Sequence, residues 1–346
     1  MKLTIPSNAE KILQVLNENG YEAYVVGGCV RDSILDRNPN DWDITTSASP
    51  YQVKELFPRT IDTGLQHGTV TVMMDKEGYE ITTYRVDGDY EDGRHPKEVT
   101  FTSSLEEDLK RRDFTINAMA YHPKEGLVDL FHGMDDMKNK IIRCVGDPME
   151  RFHEDALRIM RAVRFSAQLG FEIEEQTKAG ISRLTSNLKN VSAERIQAEL
   201  VKLLVSPHPD YLRTAYETGI TKEFLPEFDL CMETEQNTPY HCFTVGEHIL
   251  HSLLYVEADK VLRLTMLLHD IAKPVMKTTD ENGRDHFKRH AAVGEEMSKK
   301  ILRRLKFDND TIEKVSRLIR YHDDRPEGQM RAVRRAMNRI GEELFP

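Results

Sequence analysis

The sequence lacks the features of a membrane or secreted protein. It has no run of about 18 apolar residues, the length that a membrane-spanning helix requires. Residues 1–6 lack the apolar segment of a secretory signal. The 4 cysteines show no Cys-x-x-Cys spacing, as expected for buried thiols in a reducing compartment. We therefore expect a cytoplasmic protein with no membrane contact.

An excess of positive charge is also lacking. The formal net charge is −10, which argues against a protein that coats nucleic acid by electrostatics alone. Arginines are nevertheless clustered locally, which suggests a selective grip on a few phosphates. These clusters are Arg111-Arg112, then Arg158, Arg161 and Arg164, and finally Arg331, Arg334, Arg335 and Arg339.

The 346 residues suggest two or three domains, and the apolar pattern changes along the chain. The first part predicts an α/β domain on one mixed sheet, ending near residue 145. From residue 149 onward the apolar spacing is helical, and residues 231–239 are predicted to be a linker. The expected early helices are 7–19 and 50–57, and the expected strands are 21–26, 41–46, 59–63, 69–74, 79–84 and 99–102.

Two short motifs near the N-terminus point to metal and phosphate chemistry. Asp41 and Asp43 open a predicted strand, where residues two apart share a face, so both carboxylates can reach one hard cation such as Mg²⁺. Earlier in the chain, Gly27-Gly28 separates a predicted strand from a helix and lets a phosphate approach backbone N–H groups. Taken singly, the first motif also fits an Asx turn and the second an ordinary tight turn.

Together these motifs resemble the signature of the nucleotidyltransferase superfamily that includes DNA polymerase β. More narrowly, the chain resembles the bacterial and eukaryotic tRNA nucleotidyltransferase and poly(A) polymerase family, class II. The residues that carry the resemblance are Gly27-Gly28-Cys29-Val30-Arg31-Asp32, Asp41-Trp42-Asp43-Ile44, the segment 111–118 (RRDFTINA), the segment 154–158 (EDALR) and the segment 193–196 (AERI).

The resemblance implies a polymerase-β-like α/β catalytic head with a small mixed sheet at residues 1–145. It implies an all-α neck for nucleotide selection and RNA binding at 146–230, and an α-helical HD-type metal-binding domain at 231–346 that continues beyond the given C-terminus. The implied activity is template-independent addition of C, C and A to the 3′ end of tRNA from CTP and ATP, with release of pyrophosphate. The alternatives are an A-adding enzyme or poly(A) polymerase, an HD phosphohydrolase with an inert head, or a non-enzymatic tRNA-binding protein.

The same resemblance implies the residues of the head site. Asp41 and Asp43 would hold two Mg²⁺ ions, and Glu80 is the candidate for a third carboxylate on a neighbouring strand. Glu80 also fits a solvated strand residue, and Arg111 or Arg112 a surface charge. The expected nucleotide-binding residues are Gly28, Arg31, Arg111, Arg112, Asp113, Asn117, Asp155, Arg158, Arg161 and Arg164.

The same resemblance implies that the segment with Asp155 and Arg158 lines the nucleotide pocket and reads the incoming base. On a helix, residues three apart share a face, so the two side chains can address one ligand. A carboxylate accepts from the amino group of cytosine or adenine, and a guanidinium donates to the neighbouring ring acceptor. Uracil and guanine place a carbonyl oxygen against the carboxylate and are rejected. The alternative is an ordinary ion pair within a helix.

The polar segment 85–96 lies between two predicted strands and fits either a mere connector or a long mobile loop. It resembles the flexible loop of enzymes that add the complete CCA sequence. His95 stands where many relatives have an arginine.

Near the C-terminus, a set of histidines resembles the HD phosphohydrolase superfamily. Imidazole and carboxylate groups suit a divalent metal, here Mg²⁺, Mn²⁺, Ni²⁺ or Fe²⁺. Any single histidine also fits a helix surface or a core. The candidate ligands are His248, His269, Asp270, His290 and His322, and Asp323 is a further candidate. The sequence indicates no oligomeric state.

Overall fold

The computed structural model describes residues 2–88, 99–237, 243–324, 330–341 and 343–344. By its internal contacts the chain divides into two compact units. The first comprises Met1–Arg158 and Glu172–Gly180, and the second comprises Ile159–Phe171 and Ile181–Pro346. Within the described residues, no helix is both long enough and apolar enough to span a bilayer. The predicted division into three domains stays a prediction.

The strands are β1 Ala23–Val26, β2 Ile44–Thr46, β3 Thr60–Gly64, β4 Thr69–Met74, β5 Glu77–Thr83, β6 Arg85–Asp87, β7 Val99–Phe101, β8 Met119–His122, β9 Gly126–Asp129, β10 Ile141–Ile142, β11 Glu172–Ile173, β12 Thr278–Thr279 and β13 Asp285–His286.

The helices are α1 Ser7–Glu18, α2 Gly28–Ile34, α3 Pro50–Leu56, α4 Leu105–Lys110, α5 Gly133–Asn139, α6 Pro148–Glu154, α7 Leu157–Leu169, α8 Glu175–Leu184, α9 Ala193–Leu204, α10 Leu212–Glu217, α11 Ile220–Phe224, α12 Pro226–Glu233, α13 Val245–Leu253, α14 Lys260–Leu268, α15 Lys273–Met276, α16 His290–Arg304, α17 Asn309–Tyr321 and α18 Met330–Ile340.

The first unit is organised by one mixed sheet. Its strand order is β3-β4-β5-β2-β1-β8-β9. The β2–β5 pair is parallel, with Ile44 opposite Ile81, whereas the other neighbouring strands run antiparallel. Both isoleucines are buried. Because side chains at matched positions of parallel strands point to the same face, this register decides which polar residues of β5 lie beside the beginning of β2.

The prediction of an α/β head on a mixed sheet is confirmed, and so are α1, α3 and β4 to within a residue. The β8–β9 hairpin was not predicted. Predicted strands 21–26 and 79–84 are observed as Ala23–Val26 and Glu77–Thr83, and two further boundaries were wrong. The strand after Asp43 begins at Ile44, so both aspartates precede it. The expected linker at 231–239 begins inside α12, which continues to Glu233 because Cys231 is buried in the core.

The second unit is almost entirely helical, as expected from the apolar spacing, with a short β12–β13 hairpin added. Helices α16 and α17 pack against each other, and α17 also packs on α14. Gly294 of α16 permits this approach, because a Cβ atom there would lie 3.3 Å from Ile319 Cγ2. The predicted burial of the thiols is confirmed for Cys29, Cys144 and Cys231, and Cys242 lies outside the described residues.

Candidate nucleotide-transfer site and candidate metal centre

Three carboxylates lie near the beginning of β2 in the first unit: Asp41 and Asp43 precede this strand, and Glu80 lies within the neighbouring parallel strand β5. Ile44 pairs with Ile81, so Asp43 and Glu80 stand at matching positions just before them, with Asp41 two residues earlier. Each of the three residues keeps part of its surface in contact with solvent. The strand register therefore brings the sequence-predicted Glu80 beside Asp43, on the neighbouring strand where a third carboxylate was expected.

The charges around Asp43 interact. Protein surrounds much of its side chain, and this desolvation raises its pKa; the Arg112 charge opposes the shift, whereas Glu80 and Asp41 add to it. Mutual repulsion of this kind is relieved by a bound cation, and carboxylates are the donors that Mg²⁺ prefers. The oxygen atoms of these three carboxylates do not all lie within 4.8 Å of one another. In the described parts of the chain, the ligand sets whose atoms lie within 4.8 Å of one another are elsewhere, among the histidines.

Two glycines allow arginine side chains to approach the backbone near these carboxylates. Gly27 precedes α2 with a φ of 81°, a conformation that favours glycine. A Cβ atom on Gly27 would lie 3.2 Å from Arg112 Nη1, and one on Gly28 would lie 3.7 Å from Arg31 Nη2. The predicted Gly28, Arg31 and Arg112 are thus brought together, and two guanidinium groups flank the glycine turn.

A chain of hydrogen bonds fixes Arg31. Its Nη1 donates to Asn117 Oδ1 at 2.6 Å, and its Nε and Nη2 donate to the carboxylate of Asp32. Asn117 Nδ2 donates in turn to Asp113 Oδ1, which also accepts from the backbone of Phe114. The predicted Asn117 and Asp113 are therefore buried partners that orient Arg31.

The sequence analysis missed Asp108, which fixes the other two arginines. Its fully buried carboxylate accepts from Arg111 Nη2 at 2.7 Å and from Arg112 Nη2 at 3.3 Å. Thr45 Oγ1, on β2 next to the carboxylates, donates to it at 2.9 Å. Burial alone would raise the pKa of Asp108, but the two guanidinium groups and these hydrogen bonds hold it below its ordinary value. The spacing of Asp108 from Arg111 and Arg112 was the available signal.

The backbone around Asp155 differs from the predicted continuous helix. Helix α6 ends at Glu154, Asp155 has extended backbone angles, and α7 begins at Leu157. Asp155 Oδ1 accepts from Leu157 N at 3.0 Å, so its carboxylate caps the new helix. The local preference of aspartate for such caps outweighs the helical spacing that suggested one uninterrupted face.

Arg158 lies on the first turn of α7 and is mostly buried. Its Nη1 donates to Glu154 Oε2 and to Arg151 O, and its Nη2 donates to Arg111 O at 2.9 Å. Arg158 therefore contacts the backbone of Arg111, the residue whose side chain pairs with Asp108. Whether Asp155 and Arg158 choose the base stays a prediction.

The remaining predicted arginines, Arg161 and Arg164, fall in the second unit. Arg164 is buried, and its Nε lies 2.5 Å from Glu199 Oε2 while its guanidinium stacks 3.8 Å from the Phe165 ring centroid. Arg161 also lies over Phe165, at 5.3 Å. Their assignment to the nucleotide stays a prediction. The predicted loop lies for the most part outside the described residues, as does His95.

In the second unit, four histidines converge on one aspartate. His269 and His322 follow the last residues of α14 and α17, His290 begins α16, and His248 lies within α13. Their Nε2 atoms lie 3.2–3.7 Å from the carboxylate oxygens of Asp270. All five sequence-predicted HD residues are therefore brought together.

Backbone contacts determine which ring nitrogen faces the centre. The Nδ1 atoms of His269, His290 and His322 lie 2.7–2.8 Å from the carbonyl oxygens of Met266, Phe287 and Ile319. A carbonyl only accepts, so each Nδ1 carries a hydrogen and each Nε2 is the nitrogen that faces inward. In its neutral form, an imidazole oriented in this way offers Nε2 to a metal.

Asp270 itself has the character of a metal ligand. It is almost fully buried, and its two carboxylate oxygens face the imidazoles and the Lys273 ammonium. Burial would raise its pKa, but the surrounding imidazoles and Lys273 hold it well below its ordinary value. The buried Lys273, whose Nζ lies 2.8 Å from Asp270 Oδ2 and 3.0 Å from Gln236 Oε1, was not predicted as a site residue. Its position three residues after Asp270 was the signal.

A mixed sheet with two carboxylates just before β2 and a third in the parallel strand β5, an arginine-flanked glycine turn and an HD-type ligand set define a nucleotidyltransferase head and an HD domain. The comparisons agree. The family profile for the poly A polymerase head domain matches residues 23–143. That for the probable RNA and SrmB-binding site of polymerase A matches 170–232, and that for the HD domain matches 239–344.

Named relatives point the same way. The chain is 54% identical over 220 residues to the CCA-adding enzyme of Lactobacillus helveticus, covering 64% of this chain and 55% of that protein. It is 52% identical over 209 residues to that of Enterococcus faecalis, covering 59% and 52%. The solved CCA-adding enzyme of Bacillus stearothermophilus, in complex with CTP, superposes with a TM-score of 0.71 at 34% identity, covering 97% of this chain and 76% of that one.

The chain belongs to the tRNA nucleotidyltransferase (CCA-adding enzyme) and poly(A) polymerase family. It spans about half the length of the curated relatives that it matches.

Proposed function

We propose that the protein adds C, C and A to the 3′ end of tRNA in the cytoplasm, using CTP and ATP and releasing pyrophosphate. The observation that carries this proposal is the interaction of Asp43 with Glu80 and Asp41, one residue before the Ile44–Ile81 pair of the parallel strands and close to the arginine-flanked glycine turn. The relatives named CCA-adding enzymes support the choice of product.

Asp41, Asp43 and Glu80 are the residues that would hold Mg²⁺, because they supply interacting carboxylate groups near the beginning of β2. Two bound Mg²⁺ ions would supply activation of the RNA 3′-hydroxyl and neutralise the charge on the departing pyrophosphate. Arg31 and Arg112 bind the triphosphate beside Gly27 and Gly28.

The hydrogen-bonded partners of these arginines are positioning residues. Asn117 and Asp32 hold Arg31, and Asp108 holds Arg112 and Arg111. Each guanidinium is thereby fixed before substrate arrives, so less conformational freedom is lost when a triphosphate binds.

Product identity tests the proposal. Purified protein is incubated with tRNA transcripts that end at the discriminator base, in C or in CC, and with each nucleoside triphosphate separately. We expect CTP alone to extend the first transcript by two residues and ATP alone to extend the CC-ending transcript by one. Addition of ATP only would indicate an A-adding enzyme, and long adenosine tails a poly(A) polymerase. Binding of tRNA without pyrophosphate release would reveal a non-enzymatic role.

A second activity is favoured by the histidine centre of the helical unit. Inward-facing imidazole nitrogens around a buried carboxylate suit a divalent cation, such as Mg²⁺, Mn²⁺, Ni²⁺ or Fe²⁺. We propose that a cation bound at this histidine centre supports hydrolysis of a phosphate monoester or cyclic phosphodiester. Replacing His269 and Asp270 together by Ala should abolish this hydrolysis and leave nucleotide addition intact. Hydrolysis that survives the double substitution would assign it to another site or to a contaminant.

A further inference from the structure

We propose that the groove between helices α16 and α17 binds a compact anion that carries several phosphates, such as the phosphate chain of a nucleotide. The groove lies in the helical unit, and its ligand goes beyond the proposed function. None of the residues that line the groove belongs to the head site or to the histidine centre. The size of the groove, the residues that line it and their charges point to this ligand.

The groove forms because α16 presents two different faces. Its buried face carries Gly294 and Ser298, and a Cβ atom on Gly294 would lie only 3.3 Å from Ile319 Cγ2 of α17. Short side chains at these positions let the two helices pack closely. The face that lines the groove has residues spaced three or four apart, as on one side of a helix, and consists of Ala292, Glu295, Glu296, Lys299 and Arg303.

The dimensions suit a small ligand. The cavity has a volume of about 700 Å³, within the range of about 300–1,000 Å³ that is usual for small-molecule pockets. Along α16 it extends from Ala292 to Arg303, about 16 Å at 1.5 Å per residue. Helix α18 contributes Arg339, whose guanidinium carbon lies 5.5 Å from the ring centroid of Tyr321, the last residue of α17. Three helices therefore surround a space of nucleotide size.

Positive charge predominates among the residues that line the groove. The chain as a whole has a formal net charge of −10, so a positive cavity runs against its overall charge. The carboxylates of the lining are Glu295, Glu296 and Glu313, and the cations are Lys299, Arg303, Arg317, Arg320 and Arg339. A concave surface with this surplus attracts anions.

The carboxylates leave part of this positive charge available. Lys299 Nζ donates to Glu295 Oε1 at 2.7 Å and to Glu296 Oε1 at 3.0 Å, and Arg320 Nε lies 3.8 Å from Glu295 Oε2. Arg303 forms no ion pair with a described residue. Exposed pairs such as those of Lys299 contribute at most about 1 kcal/mol each. A phosphate can therefore take their place at little cost.

The nature of the cations indicates the ligand. Four of the five are arginines, whose planar forks bind two phosphate oxygens at once. Other arginines of α18 are exposed and lie outside the groove, namely Arg331, Arg334 and Arg335. A concave site that gathers cations from three helices suits a short ligand with closely spaced charges better than an extended RNA strand.

Protection of single arginines tests the proposal at the groove itself. The full chain is stripped of metal and treated with phenylglyoxal, which modifies arginine, with and without inorganic tripolyphosphate. Mass spectrometry of the peptides then gives the modification rate of each arginine. In parallel, calorimetry counts bound tripolyphosphate for a groove variant, Arg317→Ala with Arg320→Ala, and for a matched control, Arg334→Ala with Arg335→Ala. Both variants lose two arginines from helix surfaces and keep the arginines of the head.

We expect tripolyphosphate to slow the modification of Arg317 and Arg320 and to leave Arg334 and Arg335 as reactive as before. The groove variant should bind one tripolyphosphate fewer per chain than the wild type and the control, because losing two charge-assisted contacts weakens binding by about tenfold or more. Unchanged reactivity of Arg317 and Arg320 at saturating tripolyphosphate would overturn the proposal. An equal loss of binding in the control would do so too, since it would show attraction by net charge alone. Protection by a single-stranded RNA fragment but not by tripolyphosphate would assign the groove to RNA instead. The protection of wild-type protein decides the question even if a variant fails to fold.

Discussion

Replacing Asp108 by Asn should destabilise the first unit and weaken nucleotide binding together. Asparagine has the same shape and can keep the hydrogen bond with Thr45, but it lacks the charge that pairs with Arg111 and Arg112. Removing one partner of a buried ion pair costs about 3–5 kcal/mol. The two arginine side chains are 17% and 18% exposed, whereas Asp108 is 0% exposed. Because the arginines keep some contact with water, we expect the lower figure, about 3 kcal/mol.

Urea unfolding followed by the fluorescence of Trp42 measures this loss. The chain has 1 tryptophan, and it lies in the first unit, so the signal reports that unit. For an m-value of about 2–3 kcal/mol per M, the midpoint should fall by about 1–1.5 M. The KM for CTP should rise, because Arg112 is no longer fixed beside Gly27. Asp62→Asn is the matched control, since Asp62 pairs with Lys54 at the surface and should change stability by less than about 1 kcal/mol.

The pH dependence gives the same prediction a second test. The pKa of Asp108 is lower in the folded protein than the ordinary value of about 3.9. Its contribution to stability is therefore fully present above about pH 4 and is lost as the pH falls toward the folded pKa. The difference between wild type and Asp108→Asn should shrink in that range. A difference at pH 7 no larger than that of Asp62→Asn, with an unchanged KM, would refute the reasoning.

Further substitutions separate the other roles. Asp155→Ala should raise UTP and GTP incorporation relative to CTP and ATP by roughly tenfold to a hundredfold. Asp147→Ala, which removes a similar helix cap by way of Met149 N, should leave base preference unchanged. Arg158→Ala should mainly raise the KM of every triphosphate, and an altered base preference would argue against that role. Shortening the loop within residues 87–95 should make CC-ending tRNA accumulate, whereas equal loss of all three additions would show that the loop only supports folding.

Much of the head was predictable because its signals are local. Glycine turns, proline at the start of α3 and alternating apolar residues are read directly from neighbouring positions. The β8–β9 hairpin was not predictable in this way. All four residues of β8 are buried, so the strand shows no alternation of apolar and polar residues. Its burial follows from pairing with β1, which lies far away in the sequence.

The candidate nucleotide-transfer site was likewise predictable only where its signals are local in the sequence. Asp41 and Asp43 were found as a motif, and the parallel register that adds Glu80 became visible only in the sheet. Asp108 stands after Glu106 and Glu107 at the start of α4 and has the appearance of a solvated acidic turn. Only tertiary packing buries it and turns it toward Arg111 and Arg112. Conversely, Asp155 fits the helical spacing, and its local capping bond interrupts the helix instead.

The central claim is that nucleotide addition depends on Asp41 and Asp43 before β2 and on Glu80 within the parallel strand β5. It is tested most directly by single-turnover incorporation of C with Asp43→Asn, on tRNA ending at the discriminator base, beside Asp62→Asn and a tRNA-binding measurement. Loss of a metal ligand should cost several kcal/mol of transition-state stabilisation, so the rate should fall by about a thousandfold or more while tRNA binding persists. The rate should fall to a similar extent with Asp41→Asn, and each substitution should abolish the addition of both C and A. Near-normal turnover by Asp43→Asn would contradict the account.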